Sequence, residues 1–371
     1  MRRAALTLSI LLLTLSLTGC EKKPIIIGFS GNLTGTSSEI AIDSMYGAQM
    51  AVSKINQANG IKGRPIELII EDDGETVKTA REPDKKLVEK GACAIIGHNI
   101  SGVEEESFKG TNQDHIVMIS PTISSSDFFG VNDYFYTMVT ESTYAAQYIS
   151  EFMEKQNYKN IGYLYQLNNE KYSKTFVKNT EAPLTKAGLS TTFMEGYAIA
   201  DKKDFDKTID LIRNSGIDAL VIAGSAYDVA YYAQEMYKYN CMVPIYTSTW
   251  AMSEDLISIA GPAAEGIYSI NTYDSHSASQ NFRDFENDYV QTYGSSPTFA
   301  SVYSYEAVML LSKAIENSDS TASEDIKKSL DKISVFTGLQ EDIRINEYGD
   351  AIRQMHLFQV QNQSFVKVDD E

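Results

Sequence analysis

Short apolar runs alternate with amphipathic stretches along this chain, and that alternation limits the folds open to it more than any other feature. Ile25 to Phe29 is a β-branched run that ends in a loop of Gly, Ser, Asn and Thr. Tyr46, Ala48, Met50, Ala51 and Ile55 then recur at helical spacing. Asn59-Gly60 closes that helix, since glycine just past a last turn adopts the left-handed conformation freely. Predicted strands Ile66 to Ile70, Cys93 to Ile96 and Ile116 to Ile119 alternate with helices over Ala80 to Glu89 and Glu104 to Gln113. A second series opens at Thr143 with a helix to Lys155, then strand Ile161 to Tyr165 and helix Thr175 to Ala187. Strands Ser190 to Tyr197, Ala219 to Ile222 and Val243 to Tyr246 follow, separated by helices Asp204 to Ser215 and Tyr227 to Tyr239.

Strands and helices alternating at this length form right-handed βαβ units around a parallel sheet. The strand runs are continuously apolar, as in sheets covered on both faces. At 371 residues the chain exceeds what one hydrophobic core supports. The predicted fold is therefore α/β, with two doubly wound parallel-sheet lobes parted near residue 142. In such sheets ligands sit outside the C-terminal strand ends, and two lobes with those ends facing form a cleft that closes by hinging.

The first residues carry a separate signal. Arg2 and Arg3 precede an uncharged apolar stretch, Ala4 to Leu17, and then Leu17-Thr18-Gly19-Cys20. This is the pattern of a secretory leader over residues 1–19, and the stretch is short for a permanent span. A cysteine directly after Leu-Thr-Gly matches the bacterial lipobox, so Cys20 is the expected lipidation site and 20–24 a tether. Multiple acyl chains anchor a protein stably. The expected location is extracytoplasmic and membrane-anchored, in a periplasm or on a cell surface. The formal charge of −18 argues against nucleic-acid partners. Beyond Cys20 only Cys93 and Cys241 remain, in different predicted lobes, and they are expected as free thiols. With four histidines and no ligand-spaced cluster, no metal or other cofactor is expected. No Gly-x-Ser-x-Gly elbow or phosphate-binding Gly-x-x-x-x-Gly-Lys loop is present, so the chain reads as a binder and not an enzyme.

Within that frame some residues stand out on their own. Ser101 follows a strand and precedes Glu104 by three, a capping-box spacing. A helix start there offers free N–H groups to a carboxylate. Ser37 and Ser38 lie in the first strand-to-helix loop. Trp250, the sole tryptophan, lies just past a predicted strand, where an aromatic wall gives a ligand contact area.

Several stretches resemble one family. They are Gly31-Asn32-Leu33-Thr34-Gly35, Asn59-Gly60-Ile61-Lys62-Gly63, Ile95-Ile96-Gly97-His98 and Ile119-Ser120-Pro121-Thr122-Ile123-Ser124. They resemble the type I periplasmic binding proteins of branched-chain amino acid transporters, the leucine/isoleucine/valine-binding group. The resemblance implies three crossings between the lobes: 25–141 with 271–341 in the first, and 142–270 with 342–371 in the second. It further implies a monomer that delivers a small molecule to an ABC permease and its ATPase. A ligand-sensing receptor subunit of the same fold is the alternative. Ser101 matches the family serine that binds the ligand carboxylate; Thr122, Ser124, Tyr172 and Tyr227 fall at or near further ligand positions. Two family acids that hold an ammonium group align with Ser142 and Thr249, with Glu141 adjoining the first. That departure points to a small carboxylate or polar aromatic ligand in place of leucine.

Overall fold

The computed structural model describes residues 22–35, 38–74, 81–101, 104–198 and 202–368. The leader, Cys20 and Ser37 lie outside the described residues. The first sheet takes β1 (Ile25–Gly31), β2 (Ile66–Asp72), β3 (Ala94–Ile96), β4 (Val117–Ser120) and β5 (Phe135–Thr137). All its pairings are parallel, in the order β2-β1-β3-β4-β5. The second sheet joins β6 (Asn160–Gln166), β7 (Ser190–Tyr197), β8 (Ala219–Ala223), β9 (Ile245–Thr247) and β10 (Tyr268–Asn271) in parallel. Antiparallel β14 (His356–Gln361) and β15 (Ser364–Lys367) complete its edge.

Each sheet is covered on both faces, as continuous apolar strands require. Along the first, Ile27, Phe29, Ile96 and Ile119 enter one core while Ile95 and Met118 enter the other. Along the second, Leu164, Leu220 and Ile222 face one core and Tyr163, Val221 and Tyr246 the opposite one. The period-two alternation of a strand produces this division. Cys93 and Cys241 are unbonded thiols packed against cores of different sheets.

The chain passes between the sheets three times: after β5, after β10 and before β14. The third segment covers the first sheet with helix Phe299–Asn317, which lies against helix Glu39–Gln57. The small antiparallel sheet of β11 (Val335–Thr337), β12 (Asp342–Ile345) and β13 (Ala351–Ile352) follows. Its Ile343, Ile345 and Ala351 are buried in the first sheet's core, and Asp350 bridges to Thr137.

Gly47 permits the close approach of the two helices. A Cβ there would stand 2.0 Å from the backbone carbonyl oxygen of Ser301, which cannot swing aside. Gly47→Ala should therefore destabilise the protein by about 1–3 kcal/mol through overpacking, read as a lower urea midpoint. An unchanged midpoint would mean that the helices can part at no cost.

Candidate functional site

The C-terminal ends of the strands from both sheets meet around one cavity. From the first sheet come Ile40 beyond β1, Asn99 and Ser101 beyond β3, Thr122 and Ser124 beyond β4, and Val139 beyond β5. Opposite stand Asn169 and Tyr172 beyond β6, Thr249 and Trp250 beyond β9, and Asn271 at the end of β10. Phe299 and Tyr303 close it from the third segment. The enclosed space is about 30 Å³, room for about two waters. Tyr172 and Trp250 pack into the same apolar cluster as the first sheet's core, so the lobes are closed on one another. A larger opening of about 710 Å³ lies between the same lobes, lined by Asp43, Glu254, Asp255, Arg283 and Glu286 among others. None of the strand-end serines or threonines named above lines it, so volume alone does not mark the site.

Ser101 and Trp250, singled out by their positions after strands, thus come together with Thr122, Ser124, Tyr172 and Thr249, which the family resemblance pointed to. The capping contact expected between Ser101 and Glu104 lies outside the described residues. Tyr172 belongs to the first turn of helix Glu170–Lys186, which starts five residues earlier than its apolar spacing suggests. Ser142 is buried beside the cavity without lining it, its N–H donating to the Ser124 carbonyl at 2.8 Å. Tyr227 and Ser38 do not line the cavity. Ser225 and Asp228 form a reciprocal cap on helix Ala226–Lys238, and this turns the intervening Tyr227 outward, 44% exposed. The Ser38 hydroxyl donates to the Gly35 carbonyl, and Ile40 takes the wall position instead.

Hydrogen bonds fix the polar part of the wall. Asn99 donates to Ser44 Oγ at 2.7 Å, and the Thr122 hydroxyl donates to the Asn99 carbonyl at 2.9 Å. Tyr172 and Thr249 share a 3.1 Å hydroxyl pair, and Tyr172 meets Trp250 edge-on at 6.2 Å. Behind Asn99, His98 is fully buried between Asp73 and Asp84, the latter 3.0 Å from Nε2. Burial alone would lower its pKa, but Asp84 and Asp73 raise it well above the ordinary value, which favours the protonated ring. The Ser120 hydroxyl donates to the His98 carbonyl at 2.8 Å, tying the β3 and β4 loops together.

Other atoms at the site have no hydrogen-bond partner among the described residues. Asn99 Oδ1, Asn169 Oδ1, Ser142 Oγ and Trp250 Nε1 are buried without a hydrogen bond. Unsatisfied buried polar groups are costly, and here they surround a cavity that a polar solute would enter. Among the described residues, no group of histidine, cysteine or acidic side chains could hold a metal.

Acids meet at the rim. Burial, with a contribution from Asp228, pushes the Glu39 carboxyl up to about 7. Trp250 Nε1 lies beside it and favours ionisation, although no hydrogen bond of good geometry forms between them. Asp43, one turn on, is raised to about 6 by burial and Asp255. Asp228 and Asp255 stand in the first turns of helices Ala226–Lys238 and Glu254–Ala260 of the second lobe, so parting the lobes removes their upward push on Glu39 and Asp43. A group with a raised closed-state pKa favours closure at low pH and loses that effect as pH rises through about 7 for Glu39 and about 6 for Asp43. Fluorescence of Trp250 should accordingly titrate near pH 7, with the cleft opening on the alkaline side, and Glu39→Gln should abolish the step. A flat profile in the wild type would rule this coupling out.

Residues 24–364 match the family model described as periplasmic binding protein. The chain belongs to the periplasmic binding protein family. A Leu/Ile/Val-binding protein homologue of Brucella melitensis biotype 1 is 24% identical over 339 residues, 88% of this chain and 87% of that one. The branched-chain amino acid transporter substrate-binding protein LivJ of Streptococcus pneumoniae, solved with isoleucine, superposes with a TM-score of 0.82. Its identity is 21%, over 93% of this chain and 100% of that one. A solute-binding protein of R. palustris solved with benzoate gives 0.84 at 17% identity, covering 93% and 95%. The fold is that of the type I periplasmic binding proteins, and this family member is a binding protein, not an enzyme, that works outside the cytoplasm.

Proposed function

We propose that this binding protein captures a small carboxylate between its lobes and delivers it to an ABC permease driven by an ATPase, as a monomer held at the membrane through lipidated Cys20. The lobes are 25–141 with 271–352, and 142–270 with the chain from 353 onward; the expected division at 341/342 is moved because Ile343, Ile345 and Ala351 pack in the first sheet's core. Ser101, Thr122 and Ser124 receive the carboxylate, and Tyr172, Thr249 and Trp250 cover the remainder of the solute.

The observation that carries the solute class is the wall itself: among the described residues, none of those lining it is charged. A hydrogen bond to a charged group is worth about 1.5–3 kcal/mol, against about 8 kcal/mol for micromolar binding. A zwitterion whose ammonium meets only neutral groups such as Thr249 forfeits a large share of that total. Neutral amide and indole groups suit hydroxyl or aromatic substituents instead. Glu39, outside the lining but beside Trp250, is the carboxyl an ammonium would have to reach.

Calorimetry with leucine, isoleucine, benzoate and 3,4-dihydroxybenzoate tests this. The aromatic acids should bind at least about tenfold more tightly than the amino acids, and Ser101→Ala should weaken them about tenfold, the loss of one charge-assisted hydrogen bond. Tight leucine binding that Glu39→Gln abolishes would replace this reading with an amino-acid carrier. Separately, cells fed labelled palmitate should incorporate it into the wild type and not into Cys20→Ser; equal labelling would exclude the anchor.

A further inference from the structure

The charge that holds the hinge lies behind the cavity rather than in it. Arg353 stands at the third crossing and is, among the described residues, the one arginine or lysine that is buried. Its Nε donates to the Met138 carbonyl at 2.7 Å and its backbone N–H to the Thr140 hydroxyl at 2.8 Å. Both partners flank Val139, a cavity residue on the first crossing. Its Nη2 donates to Glu306, which is equally buried and whose other oxygen accepts the Leu339 N–H at 2.6 Å. Its guanidinium carbon lies 4.1 Å from the centroid of the Tyr303 ring, a cavity wall residue. The Tyr303 hydroxyl pairs with Thr272 on the second crossing, next to the cavity residue Asn271.

We propose that Arg353 is a positioning residue for solute capture, coupling the cavity wall at Tyr303 to all three crossings of the hinge. It does not line the cavity, so its effect passes through Tyr303 and Val139. A buried ion pair is a poor device for stability alone, because desolvation offsets most of the attraction. A planar guanidinium, however, donates in its plane to two acceptors while stacking on a ring, which an ammonium cannot do. Lobe closure turns the chain at the three crossings. Arg353 touches the first directly, belongs to the third and reaches the second through Tyr303 and Thr272. Rotation at one crossing is thereby transmitted to the others and to the cavity wall.

Acrylamide quenching of Trp250 in the full mature protein, without added solute, reads the cleft directly, since this residue is 5% exposed when the lobes are closed. Arg353→Lys keeps the charge but loses the fork and the stack, and Glu306→Gln/Arg353→Met removes both charges together. Each should raise the quenching constant about threefold or more well below the melting temperature, as a population shift toward open forms requires. Lower melting temperatures with unchanged quenching would overturn the proposal, because Arg353 would then serve stability only. Thr272→Val, which removes just the hydroxyl partner of Tyr303, should give a smaller rise. If the arginine variants do not fold, wild-type quenching in Thr272→Val overturns the coupling. The proposal rests on the cavity being the capture site, but the readout uses no solute, so a failed solute panel and a failed coupling are distinguishable.

Discussion

A sheet whose strands all run one way gathers every C-terminal strand end at one edge, and the site depends on that constraint. The first sheet is parallel throughout, and the second is parallel from β10 to β7. Turned edge to edge, they bring Asn99, Ser101, Thr122 and Ser124 against Asn169, Thr249 and Trp250, residues up to about 150 positions apart in the chain. Helix starts and loops at these edges leave backbone and hydroxyl groups free of the sheet's own hydrogen bonds. An antiparallel sheet would have sent alternate ends to opposite sides and halved the supply of such groups.

The chemistry of the closed cleft follows from what the loops carry. Among the described residues, charged groups stand around the lining and not in it: His98 between Asp73 and Asp84 behind Asn99, a guanidinium behind Tyr303, and titrating carboxyls at the rim. Charges behind a wall orient it without competing for a solute. Across the cleft Asp228 and Asp255 add to the repulsion that Glu39 and Asp43 already exert on each other within one helix, a basis for proton-sensitive closure. The unpaired amide and indole groups within are costly while the cavity is empty and satisfied once a polar solute bonds to them.

Much of this was legible in the residues. Strand and helix alternation gave two parallel sheets because the period of apolar residues switches between the two regular values. Ser101 was visible because it follows a strand directly, while Thr122, Ser124 and Thr249 came with the family resemblance. Errors came where local and tertiary signals diverge. Tyr227 resembled a cleft residue by sequence position, yet the buried cap formed by Ser225 and Asp228 around it turned it outward. Asn99, Asn169 and Asn271 also sit at strand ends and were within reach of the same reasoning, but an isolated asparagine in a loop carries no signal to separate it from turn chemistry. Phe299 and Tyr303 gave none, because they lie on a helix whose apolar residues all read as core.

The sequence by itself determined the elements, their parallel pairing and the edge where binding groups gather, since these follow from local periodicity and from the handedness of βαβ connections. Tertiary structure alone decided which loops oppose one another, that Ile343, Ile345 and Ala351 join the first core, and that Arg353 sits among three crossings. Those outcomes depend on packing between residues hundreds of positions apart, such as Gly47 against Ser301. Such contacts leave no periodic trace in a single sequence, because each is a matter of shape complementarity between surfaces that exist only after the elements have formed.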